Sequence, residues 1–245
     1  MKSYLRFLSR NKLYTAIMMV GLSVSLAFVI IMSCFVWQNM SVNSHYPDQD
    51  RMYAIGVKGS VNSNGEMAET MAGAIPELEC GTTIICTSTD SQSLNGNDLE
   101  SNKHLAVEKT FFEMFPTKFL TGSPEVFNGI ENVIITEGLA NEYGGIDLIG
   151  KKLVLEDDEE EYEFTVSAII EDFDDTIFEN VRFLINLKHP LNHERMQVPL
   201  YIGMGGTSTV FKVREGIDED ELRNKADKAY CAAIDIEYDE DGHLS

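Results

Sequence analysis

The sequence predicts an α+β protein: one N-terminal transmembrane helix followed by a two-lobed, mixed α/β extracytoplasmic domain. Three observations carry that expectation. Residues 13–37, LYTAIMMVGLSVSLAFVIIMSCFVW, contain no charged side chain. From Ser41 onward, short β-branched runs alternate with short helical patterns, punctuated by Gly, Pro, Asn and Asp. At Pro190 the texture changes again, which sets lobes at about 51–187 and 190–240.

The apolar run comes first. As a helix its 25 residues would measure roughly 37 Å, against a hydrocarbon core of about 30 Å. It can therefore span with some tilt. Lys2, Arg6, Arg10 and Lys12 precede it and no basic residue follows closely, which predicts a cytoplasmic N-terminus and places everything from about Ser41 onward outside. A cleaved signal peptide would need a shorter core and a small-x-small site after it. "IMSC" (31–34) is a poor lipoprotein-processing site, because Met32 is bulky and the apolar run continues through Trp37. An uncleaved anchor follows. Cys34 within it reads as a small buried hydrophobe. Gly21 with Ser25, and Ser23 with Ala27, are small residues four apart that would admit a close helix neighbour. Upstream, Lys2, Arg6 and Arg10 share one helical stripe and Tyr4, Leu5 and Leu8 another, the pattern of a surface helix over residues 1–12 on the inner face.

The external elements follow in order. "RMYAIGVKGS" (51–60) reads as a strand and "AETMAGAIPELE" (68–79) as a helix ending near Pro76. "TTIICTST" and "HLAVEK" read as strands, and "TFFEMF" (110–115) opens a short helix. Asn132–Thr136 reads as a strand and Glu137–Tyr143 as a helix. Gly144 and Gly145 follow that helix. Phosphate-binding glycines sit between a strand and a helix N-terminus, where free N–H groups point at the anion. Here the pair stands at the C-terminal end, among orphan carbonyls, so it reads as a cap and not a nucleotide cradle. "KKLVLE", the acidic turn 157–161 and "YEFTVSAIIEDF" read as a hairpin, and "VRFLINL" as a further strand. Beyond Pro190 come a Gly-rich bend in "YIGMGGTS", a strand at Thr209–Arg214 and a helix over 218–234.

Charge excludes one function class. The net charge is −21, yet residues 1–40 carry four basic side chains and no acid, so the remainder is more acidic still. Such a surface repels nucleic acid, and no nucleic-acid partner is expected. Cys80 and Cys86 flank a strand-like stretch spanning roughly 20 Å, too far for a disulfide unless Gly81 bends the chain. A bridge from Cys231 to either stays open. A Gly-x-Ser-x-Gly elbow, a Walker loop and a His-Glu-x-x-His helix are all missing. His189 and His193 are four apart, but Pro190 between them breaks a common helical face, and no third ligand is near. "EYDEDG" (237–242) starts like a calcium loop that lacks its twelfth-position Glu. The expected catalytic, cofactor-binding and metal residues are therefore none, and the chain does not read as an enzyme.

Several phrases, in order, resemble the first part of a MacB/FtsX-like ABC transporter permease. "YLRFLSRNKLYTAIMMVGLSVSLAF" is similar to that family's surface helix and first transmembrane helix, and "HYPDQDRMYAIG" to the start of its external domain. "VEKTFFEMFPTKFLTGSP", "VIITEGLANEYGG" with "DLIGKKL", and "FTVSAIIEDF" match further family phrases. The likeness covers about 1–187 well and 190–240 in outline. It implies a MacB-type periplasmic core domain over 41–245, built of Porter-like and Sabre-like lobes. It also implies a non-catalytic permease whose helices relay motion from a separate ABC-type ATPase, a coupling called mechanotransmission. That serves export or control of the cell envelope. Two departures stand out: the family has four or more transmembrane helices and this chain shows one, and "EYGGI" lacks the family's usual aromatic pair before Gly. The expectation is a truncated or partial permease. It would need its ATPase in trans, additional transmembrane helices, and a second permease copy or companion. The alternative is a single-pass, membrane-anchored binding or sensor protein.

Overall fold

A computed structural model of the chain describes residues 12–44, 46–56, 62–63, 67–100, 103–196 and 207–233. The expected surface helix over 1–12, except Lys12, lies outside them, as do the Gly-rich bend and the acidic stretch after residue 233. The chain divides into two compact units. One is Met1–His45 with Asp175–Ile177, the other Tyr46–Asp174 with Phe178–Ser245.

The first unit is dominated by helix α1 (Lys12–Ser41), which is long and apolar enough to cross a membrane. No residue of α1 is buried within the chain, and Cys34, expected to be buried, is exposed on its surface. Polar groups of α1 turn inward to the helix: Ser23 Oγ donates to the Met19 carbonyl at 2.8 Å, the arrangement that keeps a hydroxyl satisfied without water.

The second unit is built on one mixed sheet. Its elements in chain order begin β1 (Met52–Ala54), β2 (Asn62–Ser63), α2 (Met67–Ala74), β3 (Leu78–Ser88), β4 (Ser91–Leu94) and β5 (Asn97–Asp98). Then come β6 (Lys103–Val107), α3 (Phe111–Met114), β7 (Phe119–Thr121), β8 (Asn132–Thr136), α4 (Glu137–Tyr143), β9 (Lys152–Asp157) and β10 (Glu160–Ile170). The last are β11 (Phe183–Asn186), α5 (His193–Met196), β12 (Thr207–Val213) and α6 (Glu219–Ala233). The spatial order is β1-β12-β3-β6-β11-β8-β10-β9-β4-β5, with β2 also on β12 and β7 on β10. The β10–β8 and β11–β6 pairs are parallel and the other neighbours antiparallel.

The central strands bury both faces, which is why they read as continuous apolar runs rather than alternating ones. Val133 and Ile135 of β8 join Phe183 and Ile185 of β11 in one core cluster. The intervening Ile134 and Leu184 point to the opposite face and a second cluster with Phe111, Phe115 and Phe178. A third cluster lies between α2, α6 and β12, with Met71, Ile75, Phe211 and Leu222.

Strand pairing joins the two expected lobe segments in one sheet. β12, from the 190–240 segment, is inserted between β1 and β3 of the 51–187 segment. Phe211 pairs with Tyr53 on one side and Gly81 on the other. A boundary at 187–190 is therefore not a break in the sheet, because hydrogen bonds join the two segments edge to edge. Other differences are local. β1 is shorter than expected, with 57–61 outside the described residues. α2 stops at Ala74, ahead of Pro76, and the chain turns directly into β3. Cys80 and Cys86 both lie in β3 and, with Cys231, are free thiols, Cys231 being buried.

The β8–α4 unit has the expected bounds. Thr136 caps α4, its hydroxyl accepting from the Leu139 N–H at 3.4 Å. At the other end Gly144 (φ 137°) donates its N–H to the Ala140 carbonyl at 3.1 Å, and Gly145 follows at φ 66°. The glycines close the helix and satisfy its carbonyls.

Candidate functional site

One densely contacted part of the sheet unit is the segment that opens it at Tyr46. Tyr46 opens the unit and is 5% exposed. Its ring meets Phe115 edge-on at 5.2 Å. Phe115 in turn contacts Phe111 at 5.0 Å and Phe178 at 5.2 Å, and Phe173 lies 5.8 Å from Phe178. The sequence makes this box possible by placing three Phe residues within "TFFEMF", so that α3 presents Phe111 and Phe115 one turn apart. Edge-to-face contacts of this kind fix ring orientation as well as exclude water.

Just beyond Tyr46 stands a clamp of four charges. Asp48 adopts a left-handed backbone (φ 63°), which an Asp tolerates better than most residues. Its carboxylate accepts from Arg51 at 2.9 Å and from Lys212 of β12 at 2.6 Å. Arg51 also reaches Glu79 of β3 at 3.2 Å and donates to the Val213 carbonyl at 2.8 Å. The Lys212 ammonium, and after it the Arg51 guanidinium, hold the Asp48 carboxyl below the usual carboxylate range. Asp48 reciprocally raises Arg51 and Lys212. The clamp thus ties the segment after Tyr46 to two strands, β3 and β12.

The clamp gives a pH signature. A carboxyl held low in the fold contributes stability above its unfolded pKa of about 3.9, and that contribution disappears as pH falls through the folded value. Wild type should therefore exceed Asp48→Asn in thermal stability by a constant margin near neutral pH. The margin should close below about pH 4. Thermal unfolding followed by circular dichroism across the acid range checks it; a margin independent of pH would remove Asp48 from the clamp.

A second feature is a cleft of about 490 Å³ between α2, α6, β1 and β12. Met71, Phe211 and Leu222 line its floor, and Glu219, Arg223 and Asp227 of α6 stand at its rim. Tyr53 donates its hydroxyl to Glu219 at 3.0 Å, which pushes the phenol pKa up. An apolar floor with charged edges can bind a partly apolar ligand.

The motifs weighed from sequence do not converge. Asp158 and Glu159 take left-handed conformations (φ 51° and 67°) and form the tight turn of the β9–β10 hairpin. His189 is buried beside Tyr162 and Phe164, and its Nδ1 accepts from the Leu191 N–H at 3.2 Å. Burial pushes its pKa down. His193 is exposed. Among the described residues no group of three or more His, Cys, Asp or Glu side chains could hold a metal ion. Sequence reasoning missed both the clamp and the Tyr46 box. The only local signal was Asp48 with Arg51 three positions on; Glu79 and Lys212 join them only through sheet pairing.

The MacB-like periplasmic core domain family matches residues 15–229. The chain belongs to that family. The match starts inside α1 and ends within α6, so it takes in the apolar helix and the whole sheet. A domain assigned to a permease protein from Porphyromonas gingivalis is similar in fold, with 22% identity and a TM-score of 0.62. That match covers 75% of this chain and 80% of that one. The periplasmic region of MacB from Actinobacillus actinomycetemcomitans is similar at 11% identity and a TM-score of 0.52, over 75% and 83% of the two chains. No curated protein sequence matches. The MacB-like family is one of ABC transporter permease components, and its fold here joins an apolar helix to an extracytoplasmic-type domain.

Proposed function

We propose that this MacB-like chain is a non-catalytic membrane subunit of an ABC transporter of the MacB/FtsX type. In this reading α1 spans the inner membrane with its N-terminus in the cytoplasm, and residues 41–245 lie outside. The sheet domain receives movement of the membrane helix and passes it on, in export or envelope regulation. The observation that carries the reading is the family match running unbroken from the apolar helix through the sheet. The Tyr46 box and the Asp48 clamp support the mechanical part, since a relay needs its input segment held on the domain at several points rather than hinged at one.

Coupling to an ATPase requires more membrane helices than α1 supplies. An ABC-type ATPase co-expressed with residues 1–245 should therefore co-purify with them only when a permease subunit supplying further membrane helices is present. Stable one-to-one capture in detergent, without any other membrane subunit, would refute the need for a companion. The cleft between α2 and α6 favours a second reading, an anchored binding or sensor module. That reading predicts that the chain acts in cells lacking the ATPase.

A further inference from the structure

Outside α1, the exposed large apolar side chains among the described residues are Leu120, Ile130, Ile146, Ile149 and Ile177. Single exposed hydrophobes need no explanation on most surfaces. Ile177 differs from the other four. It belongs to the same compact unit as α1, whereas they belong to the sheet unit.

The hydrogen bonds explain the grouping. Asn43 stands two positions beyond Ser41, the last residue of α1, in a left-handed conformation (φ 63°). Its backbone N–H donates to the Asp175 carbonyl at 3.0 Å. Its side-chain Oδ1 accepts from the Ile177 N–H at 3.1 Å. Thr176 between them is 5% exposed, while Ile177 is 62% exposed. The pair of bonds thus holds the backbone of 175–177 at the end of α1 with the isoleucine side chain turned outward.

The level of that end follows from the helix. Trp37 and Met40 are both strongly exposed on α1, and Trp is the side chain that settles at a membrane–water interface. Ser41 lies about 6 Å further along the axis at 1.5 Å per residue. The interfacial layer on each side of the hydrocarbon core is roughly 5–7 Å deep. With α1 spanning the bilayer, the loop would come to headgroup depth, where an apolar side chain can enter the headgroup–acyl boundary.

We infer that Ile177 is a membrane contact: the 175–177 loop rests on the outer leaflet beside α1 and sets its isoleucine among the lipids. The surface it fits is zwitterionic. Asp174, Asp175 and Glu179 are exposed around Ile177, and an anionic headgroup layer would repel them. This inference rests on α1 spanning the bilayer, and the test separates the two.

Trp37 is the single tryptophan of the chain, so fluorescence can be placed at will. The full chain is reconstituted in phosphatidylcholine bilayers carrying bromine near the headgroup end of the acyl chains. Wild-type Trp37 should be quenched; if it is not, the anchor reading fails and this inference fails with it. In the double variant Trp37→Phe, Ile177→Trp, emission should shift to the blue, be quenched by the brominated lipid and resist aqueous iodide. In the matched control Trp37→Phe, Ile146→Trp, emission should be iodide-sensitive and indifferent to bromine. Adding phosphatidylglycerol at low salt should reduce the lipid quenching at position 177, and unchanged quenching would overturn the preference for zwitterionic lipid. With wild-type Trp37 quenched, an Ile177→Trp signal matching the Ile146→Trp control would overturn the membrane contact. Shielding from iodide without lipid quenching would also overturn it, assigning Ile177 to a protein surface instead.

Discussion

Phe111→Ala should cost the sheet domain about 3–5 kcal/mol, the range for truncating a fully buried phenylalanine. Phe111 has 0% exposure and is the hub of the aromatic cluster. Its ring lies 5.3 Å from Phe112, 5.0 Å from Phe115, 6.3 Å from Phe173 and 5.4 Å from Phe178. Removing it opens a cavity within a cluster whose other α3 members, Phe112 and Met114, are themselves already buried. For a domain of this size the loss corresponds to a fall in melting temperature of roughly 6–20 °C. Near-UV circular dichroism of the detergent-solubilised chain reads it directly. Phe111→Leu keeps most of the volume and should lose under about 2 kcal/mol. A drop for the alanine variant no larger than for the leucine variant would mean that the cavity costs little because the surrounding core closes on it. The consequence for function is specific. Tyr46 packs on Phe115, which packs on Phe111, so the variant should also loosen the seat of the arriving chain and admit protease cleavage near Tyr46.

How much of this was legible in the sequence depends on whether the determining contacts are local. The β8–α4 unit was read to its bounds because its signals lie within a few residues: Thr136 at the cap, Gly144 and Gly145 at the close. The β9–β10 hairpin was equally clear, being set by a tight acidic turn between apolar runs. β4, β5 and β7 were missed. "SQSL" and "ND" have weak strand character of their own and are held by register with β9 and with each other. The pairing that joins the two lobe segments is hidden for the same reason on a larger scale. β12 pairs with β3 across most of the chain, and nothing in the local pattern at Pro190 discloses that. The site divides likewise. Asp48 and Arg51 are neighbours in sequence, whereas Glu79 and Lys212 reach them only once β3 and β12 are side by side. The family resemblance was legible because it rests on the order of short phrases, which does not require knowing which strands pair.

Gly122→Val should destabilise by about 2–5 kcal/mol, from two separable causes. Gly122 ends β7 with φ at +82°, a region that side chains with a Cβ enter at a cost of about 1–2 kcal/mol. A Cβ there would also lie 2.7 Å from Ala168 Cβ and 2.9 Å from the Ser167 carbonyl oxygen. These atoms belong to β10 at the point where its pairing with β8 shifts register, and they are not the movable tip of a flexible side chain. Overpacking against such a neighbour adds about 1–3 kcal/mol. Gly96 separates the two causes. Its φ is +81°, yet nothing lies within 4 Å of its would-be Cβ. Gly96→Ala should therefore show only the backbone cost, about 1–2 kcal/mol, and Gly122→Ala clearly more. Urea unfolding with unchanged slope would measure both. Equal losses at the two positions would show that β10 yields to the intruding methyl and that the close β7–β10 approach is not rigid.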